Sequence, residues 1–210
     1  MRPAAERALL REIAAHDQHI SAGFIGTPYV LQLLADLDPA VGHALTTQQD
    51  FPSWYAMTKG AGCDQLMETW NGGQAFMPSL GGNLAAWHFE GLAGIRPDPA
   101  RPGFQNIILK PAVVGDLTWV KASYPSPRGL IVSHWQRDGH TFRWQVCIPP
   151  NATATVFVPA EDIAGVTEGE RPAAQAEGIK FLRMQDRAAV LAVGAGQYQF
   201  RSNINSSAAK

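Results

Sequence analysis

The sequence predicts a two-part α+β protein, in which a group of helices is followed by an antiparallel β-sandwich. Apolar residues recur at helical spacing through roughly the first 95 residues, whereas short runs separated by turn residues fill the remainder. A segment rich in proline and glycine, residues 97–103, separates the two patterns. We therefore expect a helical domain over 1–96, a β-sandwich over 97–201 and a disordered polar tail over 202–210.

The first helix is predicted from apolar side chains that lie on one face. Leu9, Leu10, Ile13 and Ile20 recur at intervals of three to four and seven, with charged residues between them. Gly23 can take the left-handed conformation that ends a helix, and Thr27 can cap the next one. The first helix is therefore expected to end near residue 23.

The other helices are delimited by prolines and glycines. Asp38-Pro39 breaks the second helix, and Gly94 and Pro97 stop the last one. The predicted ranges are 29–37, 41–49, a short helical turn after the FPSW segment at 51–54, and 83–92.

The second half reads as short strands joined by turns, which is typical of a sandwich. Asp138-Gly139 gives the strongest local signal, because that dipeptide suits a type I′ hairpin turn. The predicted strands are 107–109, 117–124, 129–135, 142–148, 154–158, 179–182 and 188–200.

Composition excludes several classes of protein. Seventeen Lys and Arg against 18 Asp and Glu leave no basic excess for nucleic acid, and no apolar run reaches the ~18 residues of a membrane span. The charged N-terminus does not resemble a signal peptide, so the cytoplasm is the default compartment. Cys63 and Cys147 form no CxxC pair and are expected to be buried thiols.

No cofactor or metal is expected. The GxGxxG and P-loop patterns of nucleotide binding are missing from the sequence. His16 and His19 lie three residues apart but have no evident third ligand, which favours ordinary surface histidines.

Carboxylates among tryptophans form the densest candidate site. Trp54, Asp64, Glu68 and Trp70 lie within one stretch bounded by loops. Indole rings stack on pyranose faces, and a carboxylate can activate water or protonate a leaving oxygen, so the pattern is typical of sugar chemistry. Asp64 and Glu68 could equally form a solvated helix face, with both tryptophans in the core.

An ordered series of motifs extends over nearly the whole chain. Their sequences are GFIGT (23–27), FPSW (51–54), ETW (68–70), LAGI (92–95), PGF (102–104), IILKP (107–111), LTWV (117–120) and IPPNATA (148–154). In this order they resemble the C-terminal portion of the bacterial α-L-rhamnosidases of glycoside hydrolase family seventy-eight.

The resemblance implies a fold and a site. The fold is the incomplete end of an (α/α)6 barrel followed by the family's β-sandwich, and the activity is inverting hydrolysis of terminal α-L-rhamnosides. Glu68 takes the position of the general base, and Trp54, Asp64 and Trp70 would bind the sugar. The acid-bearing Asp-Cys-Pro-x-Arg-Asp-Glu stretch does not occur here, and Met67 replaces a tryptophan of the family. Only the base half of the site is therefore expected.

Three functional interpretations stay open at this point. The chain is an enzyme fragment that pairs with an N-terminal catalytic segment, a carbohydrate-binding accessory module, or an inactive truncated remnant. If the remaining barrel helices are absent, apolar side chains of the helical part lose cover, and this part becomes marginally stable. The side chains in question are Leu9, Ile13, Leu33, Leu34, Trp87 and Phe89.

Overall fold

The computed structural model describes residues 2–60, 66–70 and 79–204, and these form two compact units, Met1–His88 and Phe89–Lys210. The sequence places the boundary at residue 96, whereas the two units divide after His88. The boundary is earlier because Ala93 and Ile95 already belong to the buried core of the second unit. At the other end, Ser202 is buried in the last strand. Of the predicted tail, residues 205–210 lie outside the described part of the chain.

The first unit is helical, as predicted. Its helices are α1 (Arg2–Ala15), α2 (Thr27–Leu37), α3 (Pro39–Thr47), α4 (Trp54–Gly60) and α5 (Ser79–Ala86), and a π-helical segment (Trp87–Leu92) follows. Helix α2 packs against α3 and α5, and α3 also contacts α4. No helix in the described part of the chain is long and apolar enough to cross a bilayer.

Helix α1 ends earlier than the apolar spacing predicts. Asp17 and Gln18 adopt positive φ angles of 51° and 61°, which end the helical path soon after Ala15. Gly23 does not adopt the left-handed conformation expected of it. The Thr27 hydroxyl donates to the carbonyl of Gly23 at 2.9 Å, so it does not cap α2, and that prediction is wrong.

Two residues, Asp38 and Pro39, explain why α2 ends and α3 begins at this junction. Asp38 ends α2, and its carboxylate accepts a hydrogen bond from the Val41 N–H at 3.2 Å, which caps α3. Pro39 occupies the first turn of α3, where the missing N–H costs nothing. The helix therefore begins two residues before the predicted start.

The expectation that six apolar side chains lose their cover is wrong for three of them. Ile13, Leu34 and Trp87 are buried within the described helical unit. Gly42 makes room for Trp87, because a Cβ at residue 42 would approach Cζ3 of that indole to 2.9 Å. Of the six, Phe89 is exposed. Among the described residues of the helical unit, Ile25, Tyr29, Phe51 and Tyr55 are also exposed.

The second unit is a sandwich of two sheets, with strand orders β1-β2-β6-β10-β9 and β3-β4-β5-β11-β7-β8. The pairings are antiparallel, as predicted, except that of β2 with β6, which is parallel. The strands are β1 (Ile95–Pro97), β2 (Asn106–Leu109), β3 (Trp119–Ser126), β4 (Gly129–Asp138), β5 (Thr141–Ile148), β6 (Thr153–Pro159), β7 (Thr167–Glu168), β8 (Arg171–Pro172), β9 (Ile179–Gln185), β10 (Ala188–Val193) and β11 (Gly196–Asn203).

The sandwich core is organised around two tryptophans on adjacent strands. Trp135 of β4 donates its indole N–H to the Leu92 carbonyl at 2.9 Å. Trp144 of β5 donates to the Ser133 hydroxyl at 2.9 Å, and that hydroxyl donates to the Ala93 carbonyl at 2.7 Å. The polar edges of both rings are therefore satisfied inside an apolar core.

The β4–β5 hairpin forms where the sequence predicts it, but the predicted turn type, I′, is wrong. Asp138 pairs with Thr141, so the two loop residues are Gly139 and His140. Only Gly139 has a positive φ, at 54°, which is the pattern of a type II′ turn. Asp138 belongs to the strand, and this shifts the dipeptide by one position relative to the turn.

Of the two cysteines, Cys147 is a half-buried free thiol of β5. Cys63 lies outside the described residues.

A glycine substitution tests how tightly the start of the sandwich is packed. At Gly94, where φ is 72°, an added Cβ would overlap the carbonyl of Lys110 and the nitrogen of Pro111. At Gly103, where φ is 68°, nothing lies within 4 Å of such an atom. We expect Gly94→Ala to destabilise the protein by about 1–3 kcal/mol more than Gly103→Ala, since both carry the left-handed penalty and only the first is overpacked. Urea unfolding followed by circular dichroism measures the difference, and equal midpoints would show that the Gly94 site relaxes freely.

Candidate active site in the helical unit

Trp54 is held at the start of α4. The Ser53 hydroxyl accepts the Ala56 N–H at 3.0 Å and so caps the helix, which places Trp54 in its first turn. The indole N–H of Trp54 donates to the Leu80 carbonyl at 2.8 Å. Only 3% of this residue is exposed, so Trp54 connects α4 to the start of α5 from inside the unit.

Trp70 packs against Trp54 edge-on. Their ring centroids are 5.0 Å apart and the ring planes cross at 82°. The indole N–H of Trp70 donates to the Ala22 carbonyl at 2.8 Å. Because both indole N–H groups are bound to backbone carbonyls, it is the aromatic surface of the half-buried Trp70 that remains for a ligand.

Glu68 lies between anchored neighbours. The Met67 N–H donates to Sδ of Met57 at 3.0 Å, and the Trp70 indole bond holds the other end of this short segment. Leu66 packs so closely on Gly81 that a Cβ there would come within 2.7 Å of its Cδ1 atom. The half-buried Glu68 side chain therefore projects from a backbone that is fixed on both sides.

The structure brings two of the four predicted site residues into contact. Trp54 and Trp70 are in ring contact, and Glu68 lies on the same described segment as Trp70. This segment, residues 66–70, is not helical, so Glu68 does not lie on a solvated helix face as the competing interpretation required. Asp64 lies outside the described residues, and its role stays a prediction.

Sequence reasoning missed the groups that hold this arrangement. The anchors are the carbonyls of Ala22 and Leu80 and the sulfur of Met57. Every residue has a carbonyl, so no sequence signal could have singled these out. Only the folded backbone brings residue 22 next to residue 70.

Histidines elsewhere in the unit do not form a metal site. Within the described residues there is no group of three His, Cys, Asp or Glu side chains that could hold a metal. His16 and His19 each place Nδ1 near a backbone carbonyl of their own segment, at 2.9 and 3.2 Å.

His88 and Glu90 experience different surroundings although they are near neighbours in sequence. Burial lowers the pKa of His88, and the adjacent His43 lowers it further. Burial raises the pKa of Glu90, and Arg96 opposes that rise. Because each group responds to a different charged neighbour, these pKa shifts do not support a His88–Glu90 dyad.

Comparison with known families supplies the wider context of this site. Residues 1–91 match the bacterial α-L-rhamnosidase six-hairpin glycosidase domain, and residues 94–172 match the bacterial α-L-rhamnosidase C-terminal domain. The chain belongs to the bacterial α-L-rhamnosidases, of which it spans the C-terminal region. The candidate site therefore falls within the part that matches the glycosidase domain.

Individual α-L-rhamnosidases are similar over nearly all of the chain. One from Streptomyces avermitilis is 32% identical over 95% of the chain and 20% of its own length. Another, from Formosa agariphila, is 26% identical over 94% of the chain and 22% of its own length. The chain thus spans about a fifth of the length of these curated relatives.

A solved structure extends the similarity to three dimensions. The crystal structure of a Streptomyces avermitilis α-L-rhamnosidase complexed with L-rhamnose superimposes with a TM-score of 0.80. The sequences are 30% identical, and the match covers 95% of this chain and 20% of that one. Both the helices and the sandwich therefore have counterparts in a known rhamnosidase.

Proposed function

We propose that this chain contributes the general-base half of an inverting α-L-rhamnosidase site, with Glu68 as the base. The observation that carries the proposal is the position of Glu68: a half-buried carboxylate on an anchored segment, two residues from a tryptophan whose N–H is already bound. It lies in the region that matches the six-hairpin glycosidase domain. A fixed carboxylate beside an aromatic surface suits the activation of water next to a bound sugar.

In this mechanism the Glu68 carboxylate removes a proton from water on one face of the sugar ring. The water oxygen attacks the anomeric carbon as the glycosidic bond breaks on the opposite face. The leaving oxygen takes its proton from a carboxylic acid about 6.5–9.5 Å from the base. No stretch of the family's acid-bearing kind occurs in these 210 residues, so the acid comes from a segment outside them.

The substrate class is a terminal α-L-rhamnoside. The Streptomyces avermitilis relative was solved with L-rhamnose, which supports the same sugar here. Trp70 would stack on the apolar face of the sugar, and Asp64 would take part in binding its hydroxyls. Trp54 was predicted to contact the sugar as well, and with 3% of the residue exposed it would act through Trp70, whose ring it holds edge-on.

A chimera tests the function. The 210 residues replace the matching fifth of the Streptomyces avermitilis enzyme, and hydrolysis of p-nitrophenyl α-L-rhamnoside is compared with that of the chain alone. We expect the chimera to be the faster by about 10²–10⁴-fold, the usual contribution of a positioned acid. Proton NMR of the first product should show the inverted anomer.

Two results would contradict the proposal. A folded chimera that releases the retained anomer would exclude a base mechanism. A chimera that binds L-rhamnose in calorimetry without turning over the aryl glycoside would instead support the carbohydrate-binding interpretation.

A further inference from the structure

The six-stranded sheet carries a polar cavity that the proposed hydrolysis does not use. Its volume is about 950 Å³, and it lies on the outward face of β3, β4, β5 and β11. Side chains alternate between core and outward face along these strands, so every second side chain projects toward the cavity. The inward residues Trp135 and Trp144 also border the cavity, although their side chains are buried in the core.

Strand register arranges the outward side chains in two rows. The first row crosses all four strands and contains Trp119, Gln136, Arg143 and Arg201. Three strand spacings make it about 14 Å long, which accommodates an oligosaccharide rather than a single sugar ring. Its aromatic end is open to solvent, because 61% of Trp119 is exposed.

The second row lies one outward position along the strands. It contains Lys121, His134, Gln145 and Gln199, which are paired in register. The glutamine amides can donate to and accept from sugar hydroxyls. This row adds hydroxyl-binding groups and one cation beside the first row.

The charge of the cavity is mainly positive. Lys121, Arg143 and Arg201 line it, and none of the three forms an ion pair within the described part of the chain. Arg137 is engaged with the Gly115 carbonyl at 2.9 Å, and Asp138 is the one carboxylate among the lining residues. Free guanidinium groups beside amides suit a ligand that carries carboxylates as well as hydroxyls.

We propose that this outward face binds an acidic glycan, a chain of sugars that includes uronic acid residues. Trp119 stacks on one sugar ring at the edge of the sheet. Arg143 and Arg201 bind carboxylates further along the row, and Gln145 and Gln199 bind hydroxyl groups. The site belongs to the sandwich and does not include Glu68. The proposal of glycan binding is therefore independent of the proposed hydrolysis.

Calorimetry on the full chain tests the proposal with tetragalacturonic acid as probe and neutral galactotetraose as its comparison. We expect the acidic tetramer to bind at least about tenfold more tightly, and high salt to remove that preference because the cations are exposed. The double variant Arg143→Gln, Arg201→Gln should lower affinity for the acid about tenfold and leave the neutral tetramer unaffected. Trp119→Ala should weaken the binding of both.

The matched control removes two cations from the other sheet. Lys180 and Arg183 are exposed on β9, and replacing both with glutamine should leave affinity unchanged. Glu68→Gln should also bind normally, which separates this site from the proposed active site. Equal affinity for both tetramers, no detectable binding, or equal loss in the Lys180 and Arg183 control would overturn the proposal. So would sedimentation of the chain as a dimer that Arg143→Gln dissociates, since a second copy would then cover the face.

Discussion

Glu68→Gln is expected to lower kcat of the chimera for p-nitrophenyl α-L-rhamnoside by about 10²–10⁴-fold, with a smaller change in KM. The amide keeps the size of the side chain but cannot accept the proton of the attacking water. The neighbours that hold the segment, Met67 and Trp70, use a backbone N–H and an indole, so the substitution leaves their hydrogen bonds in place. The loss should therefore be chemical and not structural.

A further measurement separates a base from a merely structural carboxylate. Azide attacks carbon without losing a proton, so it should restore turnover of the glutamine variant and form the inverted glycosyl azide.

The control for this experiment is Glu12→Gln, because Glu12 lies on α1 with 67% of its side chain exposed. It should retain full activity. Unchanged turnover in the Glu68 variant would reject Glu68 as the base, whatever the control does.

Trp144→Ala is expected to destabilise the sandwich by about 3–5 kcal/mol, the usual cost of removing a buried tryptophan. Only 1% of the residue is exposed, and its ring packs near Phe142 and Phe200. The change also removes the hydrogen bond to the Ser133 hydroxyl, at 2.9 Å. Urea unfolding followed by far-ultraviolet circular dichroism measures the loss.

A second tryptophan on the same sheet provides the comparison. Trp119→Ala removes an equally large ring from an exposed position of β3, and its effect should stay within about 0.5 kcal/mol. Trp144→Phe should fall between the two, since it keeps most of the buried area and loses the hydrogen bond. Equal unfolding midpoints for the two alanine variants would contradict the assignment of Trp144 to the core.

The division into helices and strands was predictable because periodicity directly reflects which face is buried. The predicted range of the second helix, 29–37, lies within the observed α2, Thr27–Leu37. Element ends were less predictable. The predicted run 188–200 is two strands, β10 and β11, because the chain turns at residues 194 and 195 between them.

The candidate site was only partly visible in the sequence. Residue type and the ordered family motifs singled out Trp54, Glu68 and Trp70. Their contacts depend on carbonyls of Ala22 and Leu80, and a backbone carbonyl has no signature in a sequence. The outward face of the six-stranded sheet was missed for a related reason: its rows form across strands, and register is a property of pairing between distant segments.

The sequence by itself determined the class of fold, the order of helices before strands, and the family. Local periodicity and the order of motifs can be identified in a sequence without knowing which residues are in contact. Tertiary structure alone decided that Trp54 is buried while Trp70 is half-exposed, that β2 runs parallel to β6, and that Trp119, Arg143 and Arg201 share a row. Each of these depends on residues far apart in the chain. Burial and register arise only when such residues meet, so these properties belong to the folded chain and not to any segment of it.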